Sequence, residues 1–174
     1  EGKIYAVGET SDFNAAKYND QTIVRFNNDG SIDQSFNYGG VSSFDLSIKS
    51  SFKAIKIQDD GKLVVAGNKS VELTITRLTE NGVLDTTFSN DGRDTPSIGS
   101  SACFSKSVSI QPDGKIVVSG NMYGTLGYYQ PVVIRYLPNG SLDTTFSNKG
   151  ISKILVSNTY QGGGFSILQP NGKL

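Results

Sequence analysis

Three arginines each stand eight positions before an aspartate, with a phenylalanine three further on: Arg25/Asp33/Phe36, Arg77/Asp85/Phe88 and Arg135/Asp143/Phe146. A guanidinium and a carboxylate at this spacing can meet across a hairpin in a charge-assisted hydrogen bond. With the hairpin turning at residues 81 and 82, Arg77 falls opposite Thr86 and diagonal to Asp85. Three equal copies point to a lock that holds a repeated unit together, with each phenylalanine a packing anchor, rather than to a ring of ligand groups. The remaining chemistry is sparse. The chain has no histidine, which excludes the serine or cysteine triads built on one. Cys103 is the only cysteine, so neither a zinc site nor an intramolecular disulfide is expected, and beside Phe104 it reads as a small buried residue. Two carboxylates can hydrolyse a glycoside, but the non-repeat acids Glu9, Asp12, Asp20, Asp45, Glu72 and Asp94 form no recognisable pair. Asp59-Asp60, Asn27-Asn28-Asp29 and Ser89-Asn90-Asp91-Gly92 offer oxygen ligands for weak calcium binding at most, and none has the spacing of a twelve-residue calcium loop. These clusters read first as turns. No cofactor, metal or catalytic residue is expected.

The elements that must position the triplets are hairpins. Glu1-Gly2-Lys3-Ile4, Asp60-Gly61-Lys62-Leu63, Asp113-Gly114-Lys115-Ile116 and Asn171-Gly172-Lys173-Leu174 are near-copies, 59, 53 and 58 residues apart. Alternating β-formers precede three of them (52–58, 104–111 and 165–169) and follow three of them (4–8, 63–67 and 116–120). Asp-Gly or Asn-Gly between two such runs marks a hairpin, because the dipeptide accepts positive φ. A second hairpin follows in each unit, from 22–26, 73–78 and 132–136 through turns at Asp29-Gly30, Asn81-Gly82 and Asn139-Gly140. A less regular extended stretch closes each unit at 41–46, 93–98 and 151–156. Four strands per unit, without a convincing helix, predict an all-β chain with a β-propeller architecture.

The expected organisation is one repeat domain over 1–174. Blades are expected at about 52–99 and 104–157, with a split blade made of 165–174 together with 1–47. Cutting a blade between its first and second strands leaves two explanations. Either the chain is part of a longer protein, consistent with a start at Glu1, or a second copy completes the ring. Three blades alone fall below the usual four to eight.

Sixteen basic residues balance sixteen acidic ones, so no long-range field favours nucleic acid or an anionic membrane surface. No apolar stretch approaches the ~18 residues of a membrane-spanning helix. Twenty glycines and only four glutamates disfavour helix.

Gln-Pro-Asp-Gly-Lys-Ile-Val-Val-Ser-Gly (111–120), followed by Ile-Arg-Tyr-Leu-Pro-Asn-Gly-Ser-Leu-Asp-Thr-Thr-Phe (134–146), resembles the delta-60 repeat of large bacterial proteins. The resemblance covers essentially the whole chain. Residues 77–88 match closely, and 25–36 depart at Gln34 and Ser35, where Thr-Thr is usual. It implies a propeller-like, secreted or surface-exposed bacterial protein, and it carries no catalytic residues.

The length of the units varies in the loop between the second and third strands, where repeat folds often place their binding face. In the first unit this loop carries Phe13, Lys17 and Tyr18; in the third, Met122, Tyr123, Tyr128 and Tyr129 with two glycines. Tyrosine-rich, glycine-containing loops suit contact with a glycan or a protein, or simply cover a blade edge. The expected function is therefore a non-catalytic extracellular scaffold or adhesion module. Its alternative is a carbohydrate-active propeller enzyme, which would bring two or more non-repeat carboxylates into one pocket.

Overall fold

The β-branched and aromatic runs of the sequence form eleven strands in three antiparallel sheets. In the computed structural model, residues 2–11, 19–124, 127–154 and 164–169 are described. The first sheet contains β1 (Ile4–Thr10), β2 (Asp20–Phe26) and β3 (Val41–Phe44), in that order. The second contains β4 (Ser50–Ile57), β5 (Leu63–Lys69), β6 (Glu72–Leu78) and β7 (Arg93–Asp94). The third contains β8 (Cys103–Ile110), β9 (Ile116–Tyr123), β10 (Tyr129–Tyr136) and β11 (Ile151–Lys153). Strand order follows chain order in every sheet. Among the described residues no helix is long and apolar enough to cross a membrane.

The second sheet lies between the other two, and its residues divide by the two-residue period of a strand. Leu63, Val65 and Leu78 join Ile23, Phe36 and Phe52 in one apolar cluster. Val64, Ala66, Leu73 and Ile75 join Phe88, Val118 and Ile134 in the other. This is why Leu63–Asn68 is buried without alternation: each face of β5 meets a neighbouring sheet.

The first strands are bulged at Phe52/Ala54 and at Ser105/Ser107. Each bulge sits over a glycine. A Cβ on Gly67 would lie 2.5 Å from Ser51 O, and one on Gly120 would overlap Phe104 O. A bulge brings backbone against backbone, which only glycine permits.

The hairpin turns differ from the two-residue form expected at residues 81 and 82. Gly82 N–H donates to Thr79 O at 2.9 Å and Thr79 N–H to Val83 O at 2.8 Å, with Gly82 at φ 80°. This is a type I turn followed by a left-handed glycine, a three-residue loop with a bulge. The same pair of bonds recurs at Gly30, Gly61, Gly114 and Gly140. One extra loop residue moves the register by one. Leu78 faces Leu84, and Asp85 N–H donates to Arg77 O. Arg77 and Asp85 are therefore directly opposite, not diagonal.

Candidate functional site

The corrected register brings each triplet together. Arg25 Nε, Arg77 Nε and Arg135 Nε each donate to Oδ2 of Asp33, Asp85 and Asp143 at 2.8 Å. The other carboxylate oxygen caps the next turn. In the second unit Asp85 Oδ1 accepts from Thr87 N–H at 3.1 Å and Thr87 Oγ1 at 2.6 Å. Thr145 does the same for Asp143, and Ser35 for Asp33. The departure from Thr-Thr at Gln34-Ser35 therefore keeps the hydroxyl that the turn needs. Each guanidinium lies over its phenylalanine ring, 4.6, 4.8 and 4.5 Å from the centroid.

A third partner escaped the sequence reading. The lysine of each Gly-Lys hairpin reaches the same aspartate: Lys3 to Asp33 at 3.1 Å, Lys62 to Asp85 at 3.4 Å and Lys115 to Asp143 at 3.4 Å. Lysine recurs in every copy, but its distance in sequence from the aspartate varies, so a search at fixed spacing misses it. The hydrogen bonds from Ser35 hold the Asp33 carboxyl far below its ordinary range, with Lys3 and Arg25 adding to them. Burial opposes ionisation of Asp85, but the bonds from Thr87 and the charges of Arg77 and Lys62 outweigh it and bring its pKa to about 2. Thr145 leads the same effect at Asp143, also to about 2.

The triplets also reach the next sheet. Arg25 Nη1 donates to Glu80 O at 3.0 Å and Arg77 Nη1 to Pro138 O at 2.6 Å. Glu80 and Pro138 occupy equivalent places in successive turns. Phe36 and Phe88 are fully buried, and each packs where a Cβ on the next turn's glycine, Gly82 or Gly140, would collide with its ring. Ser42 Oγ donates to Gly82 O, and Ser89 N–H to Asn139 O.

A family model described as a domain of unknown function (DUF5122), beta-propeller, matches residues 2–36, 58–88 and 111–146, more than half of the chain. The chain belongs to this family of β-propeller domains. No curated protein matches it. The matched segments contain the triplets, which in this propeller domain join strand pairs within a blade and then one blade to the next.

The loop residues fall in two places. Phe13, Lys17 and Tyr18 lie outside the described residues. Tyr123, at the end of β9, and Tyr129, at the start of β10, meet edge to face with centroids 5.4 Å apart. Tyr129 also contacts Phe104 at 6.0 Å. Tyr123 and Tyr128 are 39% and 42% exposed, so the third blade presents an aromatic cluster to solvent.

The first strands line a cleft of about 780 Å³, with Lys56, Gln58, Asp59, Ser107, Ser109 and Ser166 in its wall. Asp59 and Asp60 are neighbours on one turn, and Asp60 is bound by Lys62 at 3.3 Å. Of the non-repeat acids, Asp94 is half-buried in β7, and burial raises its carboxyl's pKa. Among the described residues no three acidic or cysteine side chains gather closely enough to hold a metal. The turn acids bind their own loops instead: Asp29 Oδ1 accepts from Ser31, Asp60 Oδ1 from Lys62 N–H and Asp91 Oδ1 from Arg93 N–H.

Proposed function

We propose that this domain is a non-catalytic scaffold that binds a protein or glycan partner through the aromatic cluster of its third blade. The exposed Tyr123 and Tyr128 beside Tyr129 and Phe104 carry this reading. Rigid, amphipathic rings of this kind give large contact area at low entropic cost. The repeated carboxylates support it from the other side. Each is bound by an arginine, a lysine and a hydroxyl, so the residues that recur have their capacity used inside the fold. The triplets on this reading are fasteners. The delta-60-like motifs add the finer assignment, a secreted or surface-exposed bacterial repeat protein. Its ring is completed by further blades, from a longer chain or from a second copy.

A glycan array and a surface-binding screen, run on the wild type and on a Tyr123→Ala/Tyr128→Ala variant, test the reading. The expected result is a partner retained by the wild type and lost at least tenfold by the variant, with an unchanged melting temperature. Equal binding by both proteins would remove the aromatic cluster from the account. Turnover of a glycan by the wild type would favour the carbohydrate-active alternative.

A further inference from the structure

The contact between blades is asymmetric. One blade supplies the arginine and phenylalanine; the next supplies a turn with a bare glycine and an open carbonyl. The first and second blades each insert their halves into the following turn. The third blade has no such turn to enter. Arg135 makes its bond to Asp143, but neither Nη reaches a neighbouring carbonyl among the described residues, and its side chain is 19% exposed against 7% for Arg77. Phe146 is only half-buried, where Phe36 and Phe88 are sealed.

The first blade shows the matching deficit. Its turn, Asn27–Ser31, has the same hydrogen bonds as the turns at Gly82 and Gly140. Yet a Cβ on Gly30 would meet nothing within 4 Å. β1 also has no strand on its inner edge among the described residues, while β5 and β9 have β4 and β8 there. Residues 164–169 supply the missing piece in the wrong place for this chain. They lie against the third blade, where Ser119 Oγ donates to Gly164 O at 2.6 Å and Ser166 N–H to Ser107 Oγ at 3.1 Å. Their apolar side chains Phe165 and Ile167 are 76% and 82% exposed.

We infer that the third blade docks the first blade of a second copy of this chain, with Arg135 and Phe146 closing on its Asn27–Ser31 turn. Residues 164–169 of one copy then lie beside β1 of the other, making one blade from two chains. This inference rests on the ring-completion reading above and assigns it a surface. The occupant is a second copy because the two open faces are the two halves of a contact that the chain already makes twice internally. Arg135 Nη1 bonds Asn28 O as Arg77 bonds Pro138 O, and Phe146 covers Gly30 as Phe88 covers Gly140. The contact is head to tail, so it closes only if the rotation allows. Each copy carries three sheets, and two copies closing at both junctions make a six-bladed ring, within the usual range.

Sedimentation velocity of the wild type, Gly30→Asn and Phe146→Ala tests this. Asparagine tolerates positive φ, and the open space at Gly30 accepts it within one chain. Across the junction its Cβ would strike Phe146, since the corresponding atom on Gly82 would lie 2.5 Å from Phe36 Cζ. The expected result is twice the chain mass for the wild type and association at least tenfold weaker in each variant, with circular dichroism unchanged in Gly30→Asn. A single-chain mass for the wild type at every concentration would overturn both the inference and the second-copy reading. A two-chain mass unaffected by either variant would place the contact elsewhere, overturning the inference while leaving that reading intact.

Discussion

Replacing Asp85 by alanine removes the acceptor of four bonds: from Arg77 Nε at 2.8 Å, Lys62 at 3.4 Å, Thr87 N–H at 3.1 Å and Thr87 Oγ1 at 2.6 Å. Arg77 is 6% exposed and stays behind as a buried cation without its carboxylate. Breaking a buried pair from one side costs about 3–5 kcal/mol. Lys62 can turn to water, so its share is below about 1 kcal/mol. The expected loss is about 3–4 kcal/mol, or a melting temperature lower by roughly 6–16 °C for a chain of this size. Urea unfolding followed by circular dichroism measures it, with the denaturant slope unchanged. The sign with pH follows from the depressed pKa. Asp85 titrates at about 2 when folded and near 3.8 when unfolded, so its charged contacts stabilise the chain above pH ~4. That contribution is lost as pH falls from about 4 to about 2, and wild type and variant then converge. A loss below about 1 kcal/mol at pH 7, or a gap that does not narrow on acidification, would refute the reasoning.

Two further outcomes follow from the same packing. Gly120→Ala sets a methyl against Phe104 O, a backbone atom that cannot swing aside, and is expected to cost about 1–3 kcal/mol in urea unfolding; the same change at Gly8, which has nothing within 4 Å, should cost under about 1 kcal/mol. Burial pushes the Cys103 thiol up to about 12, so a thiol reagent at pH 8 should react at least a hundredfold more slowly with the folded chain than with chain in denaturant.

Much of this was legible in the sequence because period and turn chemistry are local properties. The Asp-Gly and Asn-Gly turns, the alternating runs and the spacing of arginine from aspartate all lie within one unit. They gave the hairpins and the membership of the triplets. What escaped depends on atoms the pattern does not carry. Asn81-Gly82 fits both a two-residue and a three-residue loop, and only the backbone bonds of Gly82 and Thr79 decide between them. That one residue moved Arg77 from a diagonal to a direct position. Lys62 joins Asp85 through sheet pairing across a hairpin of variable length, so no fixed spacing announces it. The reach of Arg77 to Pro138 is a contact between units, and repetition in sequence says nothing of which surfaces meet. The aromatic cluster was visible as composition, but its meeting with Phe104 required the register of β8 on β9 and of β9 on β10.

The account's central claim is that the arginine–aspartate–phenylalanine triplet fastens one blade to the next. Arg77 has a following turn to hold, and Arg135 within one chain does not. Urea unfolding of Arg77→Met and Arg135→Met, in protein dilute enough to be a single chain, compares the two directly. The loss of a charged hydrogen bond to Pro138 O and of the sealed environment around Phe88 should make Arg77→Met costlier by about 2 kcal/mol or more. Equal costs for the two substitutions would contradict the claim.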